Sequence, residues 1–218
     1  MSGRIKAAVL ASGRGSNLQA LIDAARDPDY PAEIALVICN VAAAGALTRA
    51  AEAGIATTVI DHRDFADRAS FDTAMDAELV KNDIEIVCLA GFMRILSTAF
   101  VEAWTGRLLN IHPSLLPAFK GLNTHERALE AGAKLAGCTA HLVTPELDDG
   151  PILVQAAVPI LPNDTPGDLA ARVLEQEHVC YPLALRLIAE NRVRIENGRV
   201  LVDAPSTETT ALINPAPF

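Results

Sequence analysis

Asn110 and His112, two residues apart, are the pair best suited to acyl chemistry. They end the segment Arg107–His112, which predicts a strand, and Pro113 stops that strand. Because strand side chains alternate between two faces, the amide and the imidazole should point to the same side. Two such donors aimed at one point can stabilise an oxyanion. The alternative is that both are polar residues that cap a strand end.

A carboxylate follows in the segment Glu146–Gly150, between two predicted antiparallel strands, Cys138–Thr144 and Ile152–Ile160. A carboxylate in this segment could orient a nearby imidazole and favour its charged form. An ordinary turn is the alternative, because Asp and Gly are common turn residues. His141, on the first of the two strands, is either a second polar group of the same site or, as we favour, a buried histidine with satisfied hydrogen bonds.

The segment Ser12–Asn17 joins a predicted strand to a predicted helix and contains two glycines. Free backbone amides at a helix N-terminus attract phosphate groups, so the segment is a candidate phosphate site. A plain tight turn with Ser16 as N-cap is the alternative. The dinucleotide fingerprint would need a third glycine, and a P-loop would need Gly-Lys-Ser/Thr.

Two further segments have both a functional and a structural interpretation. Gly91–Leu96 surrounds Arg94 with apolar residues directly after a predicted strand. It either lines a pocket for a flat ring or leads into the core. The Glu175–His178 cluster lies on a long predicted helix and is by default a solvated face.

Alternating strands and helices must position these candidates. The predicted strands are Ile5–Ala11, Ile34–Cys39, Thr57–Ile60 and Ile84–Ala90, and the helices between them are Ser16–Arg26, Ala46–Ala53 and Asp64–Asn82. This order predicts a parallel, doubly wound sheet, whose ligands bind beyond the carboxyl ends of its strands. Later elements are the helices Ser97–Trp104, His125–Ala133 and Pro166–Asn191, and a hairpin of Val193–Ile195 with Arg199–Val202 around Asn197-Gly198.

Composition limits the possible partners. The 218 residues are 50% hydrophobic and 4% aromatic, with a formal net charge of -9. A negative surface repels nucleic acid and anionic membranes. No targeting segment and no membrane-length apolar stretch is evident, so we expect a cytoplasmic protein. The four cysteines, without a CxxC motif, predict buried thiols and no zinc site; they are Cys39, Cys88, Cys138 and Cys180.

Taken together, these segments resemble the glycinamide ribonucleotide formyltransferases. The matching stretches run in that family's order along the first 185 residues: Ser12–Gln19, Leu89–Ser97, Gly106–Pro117, Gly121–Glu130, Thr144–Pro151 and Ala171–Pro182. The Asn110/His112 pair with Asp148 is shared by the wider formyltransferase superfamily, whereas the Gly15-Ser16-Asn17 turn and Glu177 point to this member.

The resemblance implies a role for each matching residue. Asn110, His112 and Asp148 would be catalytic. Gly15, Ser16 and Asn17 would bind the phosphate of the ribonucleotide, and Glu177 its ribose. The folate would contact the following residues: Arg68, Met93, Arg94, Ile95, Leu96, Asn110 and Val143. Two positions depart from the family, since Arg14 replaces a small or amide residue and Asp149 replaces a small one.

The implied activity is transfer of the formyl group of 10-formyltetrahydrofolate to the amine of 5-phosphoribosylglycinamide in purine synthesis. The amine would attack the formyl carbon directly, giving a tetrahedral species whose oxyanion is met by His112 and Asn110. Neither a covalent intermediate nor a metal would be needed. The partners would be these small molecules, with the chain as a monomer or homodimer.

Three other functions are alternatives to this transferase activity. A formyltetrahydrofolate hydrolase would carry an extra N-terminal module, and a methionyl-tRNA formyltransferase would carry a C-terminal domain that grips RNA. A non-catalytic phosphate- or nucleotide-binding module would use the Gly-rich turn alone. We expect one Rossmann-like formyltransferase domain over 1–203, with a phosphate-binding half (1–104), a catalytic half (105–203) and a loose tail (204–218). An antiparallel extension of the sheet and a long helix would form its C-terminal part.

Overall fold

The computed structural model of the chain describes residues 3–203, 212 and 214. The chain divides into two compact units. The first contains Met1–Asn110 and Leu142–Pro145; the second contains Ile111–His141 and Glu146–Phe218. The predicted single domain over 1–203, with halves 1–104 and 105–203, stays a prediction. The predicted tail, 204–218, lies outside the described residues except at two positions.

The first unit contains five parallel strands in the order β3-β2-β1-β4-β5. These are β1 (Ile5–Ala11), β2 (Ala32–Cys39), β3 (Ala56–Val59), β4 (Ile86–Leu89) and β5 (Leu108–His112), the last of which continues past the unit boundary. The helices are α1 (Ser16–Ala25), α2 (Gly45–Glu52), α3 (Arg68–Lys81) and α4 (Thr98–Ala103). Strand β1 is fully buried from Ala7 to Ala11, as its continuous apolar sequence requires.

Helix α3 starts four residues later than the sequence predicts. Asp61 caps a short 3-10 turn, His62–Asp64, and the chain is extended again before Asp67. Asp67 then forms a capping box with Ser70, which fixes the true start of the helix. The predicted start at Asp64 was wrong because Asp64 and Asp67 both resemble N-cap residues, and the sequence alone does not rank them.

The second unit contains α5 (Thr124–Glu130), β6 (Leu135–Leu142), β7 (Ile152–Pro159), α6 (Pro166–Ala189), β8 (Val193–Glu196) and β9 (Arg199–Val202). The pairs β6–β7 and β8–β9 are antiparallel. Helix α6 begins as predicted, with Thr165 in a capping box with Asp168 and Pro166 in the first turn.

The strands β1–β7 therefore form a mostly parallel mixed sheet with antiparallel C-terminal strands, which confirms the predicted fold class. Within the described residues, no helix combines the length and the apolar sequence that crossing a bilayer requires.

Candidate functional site

The carboxyl ends of the parallel strands in the first unit carry the predicted binding segments. Ser12 follows β1, Asn40 follows β2, and Gly91 lies two residues beyond β4. Asn110 lies in β5, in register with Leu89 of β4. Because the strands are parallel, these residues share one edge of the sheet, where open α/β sheets bind ligands.

The predicted phosphate turn has the geometry of an anion site. Gly15 is the N-cap of α1 in the left-handed conformation, with φ 75°, and no side chain caps this helix end. Ser16 is therefore the first helical residue, and the interpretation of Ser16 as N-cap is wrong. The amides of Ser16 and Asn17 lie in the first turn, where an anion is stabilised.

A close approach to α2 also requires glycine at position 15. A Cβ added to Gly15 would lie 2.7 Å from the Cα of Ala46. The amide of Ala46 donates to the carbonyl of Gly13 (3.1 Å), and the Nε of Arg49 donates to the carbonyl of Arg14 (2.9 Å). Helix α2 thus supports the turn from one side.

The predicted folate loop, Gly91–Leu96, links β4 to α4 without regular secondary structure. Phe92 and Leu96 pack against the core, whereas the side chains of Met93 and Ile95 are 65% and 63% exposed. Arg94 between them is also exposed. Exposed apolar side chains on a structured loop suit a ligand with a flat ring.

The other residues of the first unit that are predicted to bind folate lie outside the loop Gly91–Leu96. Arg68 is the first residue of α3 and is exposed. Val143 is partly buried against the core, and its amide donates to the carbonyl of Leu108 on β5 (2.8 Å). Asn110 is partly exposed at the end of the same strand.

In the second unit, both ring nitrogens of His112 face acceptors. Nδ1 lies 3.5 Å from Oδ2 of Asp148, and Nε2 lies 3.0 Å from the carbonyl oxygen of Phe119. His112 is only 6% exposed. An imidazolium, which has a proton on each nitrogen, can donate to both acceptors, whereas a neutral imidazole can donate to only one.

Asp148 is held by the backbone as well as by histidine. Its Oδ2 accepts a hydrogen bond from the amide of Gly121 (2.8 Å), and Asp148 itself has a positive φ of 49°. Its Oδ1 lies 3.9 Å from Nε2 of His141, which is 2% exposed. The carboxylate therefore lies between two imidazoles. The sequence left two interpretations of His141 open, a second polar group of the site or a core histidine, and its distance from Asp148 fits the first.

A buried threonine supports the segment that follows His112. The hydroxyl of Thr139 donates to the carbonyl of Ser114 (2.7 Å) and accepts from the amide of Leu116 (3.1 Å) and from Nε2 of Gln155 (2.9 Å). Gln155 also donates to the carbonyl of Leu116 (2.9 Å). These bonds connect β6 and β7 to the chain between His112 and Phe119.

Glu177 corrects the default interpretation of its cluster as a solvated face. The side chains of Leu169, Val173, Glu177 and Tyr181, spaced four residues apart, form the buried side of α6. Glu177 is 7% exposed, whereas Glu175 is exposed. A carboxylate on an otherwise apolar helix face requires polar partners to offset its desolvation. The four-residue spacing could have revealed this from the sequence.

The two departures from the family pattern lie in different places. Arg14 and Arg49 line a groove of about 700 Å³ beside the Gly-rich turn. Asp149 is exposed and forms an ion pair with Lys120. The extra negative charge next to Asp148 is therefore countered locally.

All four cysteines are buried, as predicted. Burial raises the pKa of the Cys39 thiol to about 11, and a hydrogen bond with Cys180, together with burial, holds the pKa of Cys138 far above its usual range. Thiols in this state are poor nucleophiles. Among the described residues, no group of three or more His, Cys, Asp or Glu side chains is placed to hold a metal ion.

Comparison with known proteins gives consistent matches. The family model described as formyl transferase matches residues 5–185. A phosphoribosylglycinamide formyltransferase from Escherichia coli (strain K12) is 46% identical over 195 residues, covering 89% of this chain and 92% of that protein. The trifunctional purine biosynthetic protein adenosine-3 from Bos taurus is 52% identical over 198 residues, 90% of this chain, but the chain spans only 20% of that protein.

A solved structure agrees with these sequence matches. The glycinamide ribonucleotide transformylase 1 from Symbiobacterium toebii superposes with a TM-score of 0.90 at 46% sequence identity. The match covers 93% of this chain and 95% of that one.

Proposed function

The chain belongs to the formyl transferase family, and on that premise we propose that it transfers a formyl group from 10-formyltetrahydrofolate to the amine of 5-phosphoribosylglycinamide. This is a step of purine synthesis. The observation that carries the proposal is the buried pair of His112 and Asp148, 3.5 Å apart, within the segment that the family model matches. Acyl transfer to an amine requires a group that stabilises an oxyanion and moves a proton, and this pair can do both.

The formyl folate supplies an activated one-carbon acyl group. As the amine attacks the formyl carbon, negative charge develops on its oxygen. A protonated His112 donates its Nε2 proton to that oxygen, which takes the place of the Phe119 carbonyl that this nitrogen contacts in the free protein. Asp148 orients the ring through Nδ1 and stabilises its positive charge. Asn110 supplies a second donor. When the bond between the formyl carbon and the folate nitrogen breaks, His112 gives a proton to that nitrogen and recovers one from the attacking amine, which becomes the neutral formamide.

Binding would be divided among several elements. Gly15, Ser16 and Asn17 bind the phosphate through the uncapped start of α1, and Glu177 accepts hydrogen bonds from the ribose hydroxyls. Arg68, Asn110, Val143 and the loop residues Met93, Arg94, Ile95 and Leu96 bind the folate. Much of the acceleration would come from holding the two small molecules in a reactive geometry.

The remaining features of the proposal concern partners and location. The reaction uses no metal, and both partners are small molecules. The chain acts in the cytoplasm as a monomer or homodimer, without nucleic acid or membrane. Its formal net charge of -9 supports the last point.

An assay with two arms tests the proposal. The protein is mixed with 10-formyltetrahydrofolate, with and without 5-phosphoribosylglycinamide, and release of tetrahydrofolate is followed by absorbance. We expect release only when the acceptor is present. Release without the acceptor would show a hydrolase, and no release in either arm would favour a phosphate-binding module.

A further inference from the structure

We propose that Asn40 and Asp72 are positioning residues for the folate, because they hold the loop Gly91–Leu96 in the shape that binds its pterin ring. This inference rests on the proposed function. Neither residue belongs to the segments with a predicted function, and both are buried in the first unit, at 4% and 3% exposure.

The loop needs such support because its own side chains do not fix it. Met93 and Ile95 are 65% and 63% exposed, so their burial contributes little to fixing the loop in the free protein. Only Phe92 and Leu96 pack inward. The shape that presents Met93, Arg94 and Ile95 must therefore come from contacts made by the loop's backbone and by Phe92.

Ser12 makes the first of these contacts. Its amide donates to the carbonyl of Gly91 (3.2 Å), and its Oγ accepts from the amide of Met93 (2.8 Å). The hydroxyl has a single proton, which it donates to Oδ1 of Asn40 (2.6 Å). Asn40 thereby turns a lone pair of Ser12 toward Met93.

Asn40 is held in turn by the 3-10 turn after β3. Its Nδ2 lies 3.3 Å from Nδ1 of His62. The His62 ring also lies edge-on to Phe71, with centroids 6.3 Å apart. Without the Asn40 amide, the Ser12 hydroxyl loses Oδ1 of Asn40 as its acceptor. The hydroxyl can then rotate, and its oxygen no longer has a fixed orientation toward the amide of Met93.

Asp72 holds the other end of the loop. Its Oδ2 accepts a hydrogen bond from the amide of Ser97 (2.6 Å), the N-cap residue of α4 that directly follows the loop. In the part of the chain that the structure describes, its Oδ1 has no hydrogen-bond partner. A buried carboxylate oxygen without a partner costs stability. The hydrogen bond from Ser97 is the contact through which Asp72 fixes this end of the loop.

Phe71, the neighbour of Asp72 on α3, completes the support. Its ring is parallel to that of Phe92 within 8°, with centroids 6.5 Å apart. The start of α3 therefore contacts the loop at Phe92 through an aromatic ring and at its end through a carboxylate. Arg68, proposed to bind the folate, lies one turn earlier on the same helix.

The test compares Asn40→Ala, Asp72→Ala and Asp72→Asn with a matched control, Asp76→Ala. Asp76 lies one turn further along α3, and its Oδ1 accepts from Nε1 of Trp104 (2.9 Å) at the far end of α4. The measurements are kcat, the KM of each substrate, the Kd of tetrahydrofolate by calorimetry, and the thermal midpoint.

We expect Asn40→Ala and Asp72→Ala to raise the KM of formyl folate and the Kd of tetrahydrofolate about 5- to 20-fold, the scale of one or two lost hydrogen bonds. The KM of the ribonucleotide should change less than about 2-fold, because the amides at the start of α1 are not altered. Asp72→Asn keeps an acceptor for Ser97 and should raise the folate values less than about 3-fold. Asp76→Ala should leave both KM values unchanged.

Equal increases in both KM values, or folate values that stay normal in folded Asn40→Ala and Asp72→Ala, would overturn the inference. If Asn40→Ala does not fold, Ser12→Ala, which removes the oxygen that accepts from the amide of Met93, must still weaken tetrahydrofolate binding. If the wild type transfers no formyl group, the proposed function fails. The calorimetry then decides the inference by itself, because tetrahydrofolate binding that Asn40→Ala does not weaken would refute it.

Discussion

The Nδ1 of His112 lies 3.5 Å from Oδ2 of Asp148, and each side chain is less than a tenth exposed. The same carboxylate oxygen accepts the amide of Gly121. Asp148 therefore interacts electrostatically with the imidazole and also fixes the backbone at Gly121 by a hydrogen bond. Different substitutions of Asp148 separate these two contributions.

Replacing Asp148 with Ala removes both contributions, whereas Asp148→Asn keeps an acceptor for Gly121 and removes the charge. We expect His112→Ala, Asp148→Ala and Asp148→Asn each to lower kcat by at least about 10²-fold, the scale of acid–base and oxyanion catalysis. Of the two Asp148 variants, only Asp148→Ala should lower the thermal midpoint appreciably. Near-normal turnover in Asp148→Asn would show that the charge is not needed.

His141 lies 3.9 Å from the other oxygen of Asp148, beyond hydrogen-bond distance. Its effect on the carboxylate is therefore electrostatic and weaker than that of a direct bond. We expect His141→Gln to lower kcat roughly 10-fold, less than the loss of His112. Steady-state kinetics with a thermal-midpoint control measures this. A loss as large as that of His112→Ala would place His141 in direct contact with the reacting atoms.

Glu177 and Glu175 form a matched pair on α6, since the first is buried and the second is exposed. We expect Glu177→Ala to raise the KM of the ribonucleotide about 10-fold or more, as the loss of a charged hydrogen bond predicts, and to affect the KM of the folate less. Glu175→Ala should change neither value. The assignment fails if Glu177→Ala raises both KM values equally.

The sequence predicted the fold better than it predicted the contacts that hold the loop Gly91–Leu96. Strand β1 and the start of α6 could be placed because a fully apolar run and a capping box are local signals. The roles of Asn40 and Asp72 depend on contacts with residues 25 or more positions away in the chain, Ser12 and Ser97. Local pattern contains no information about such pairs, so they became visible only in the folded chain.

Gly15 and Gly13 give another controlled comparison. Gly15 has φ 75° and faces Ala46, whereas a Cβ at Gly13 would meet nothing within 4 Å. We expect Gly15→Ala to lower the free energy of unfolding by about 2–4 kcal/mol, from left-handed strain and overpacking. It should also raise the KM of the ribonucleotide, because the start of α1 must shift. Urea denaturation and kinetics provide the measurements, and Gly13→Ala should be close to wild type in stability.

Thr139→Val tests whether the buried Thr139 hydroxyl contributes to catalysis by holding Ser114 and Leu116, which follow His112 in the chain, in place. Valine has nearly the same shape but leaves the amide of Leu116 and the carbonyl of Ser114 without their hydroxyl partner. At roughly 1–3 kcal/mol for each buried group left unsatisfied, the free energy of unfolding should fall by about 2–4 kcal/mol.

The control is Thr73→Val on α3, where the exposed hydroxyl donates only to the carbonyl of Ala69 within its own helix (2.8 Å). Its free energy of unfolding should change by less than about 0.5 kcal/mol, as is usual for surface substitutions. If Thr139 only stabilises the fold, folded Thr139→Val would keep a normal kcat below its unfolding temperature. We expect a lower kcat instead, with both KM values little changed, because the segment from Ser114 to Leu116 leads to Phe119, whose carbonyl contacts Nε2 of His112.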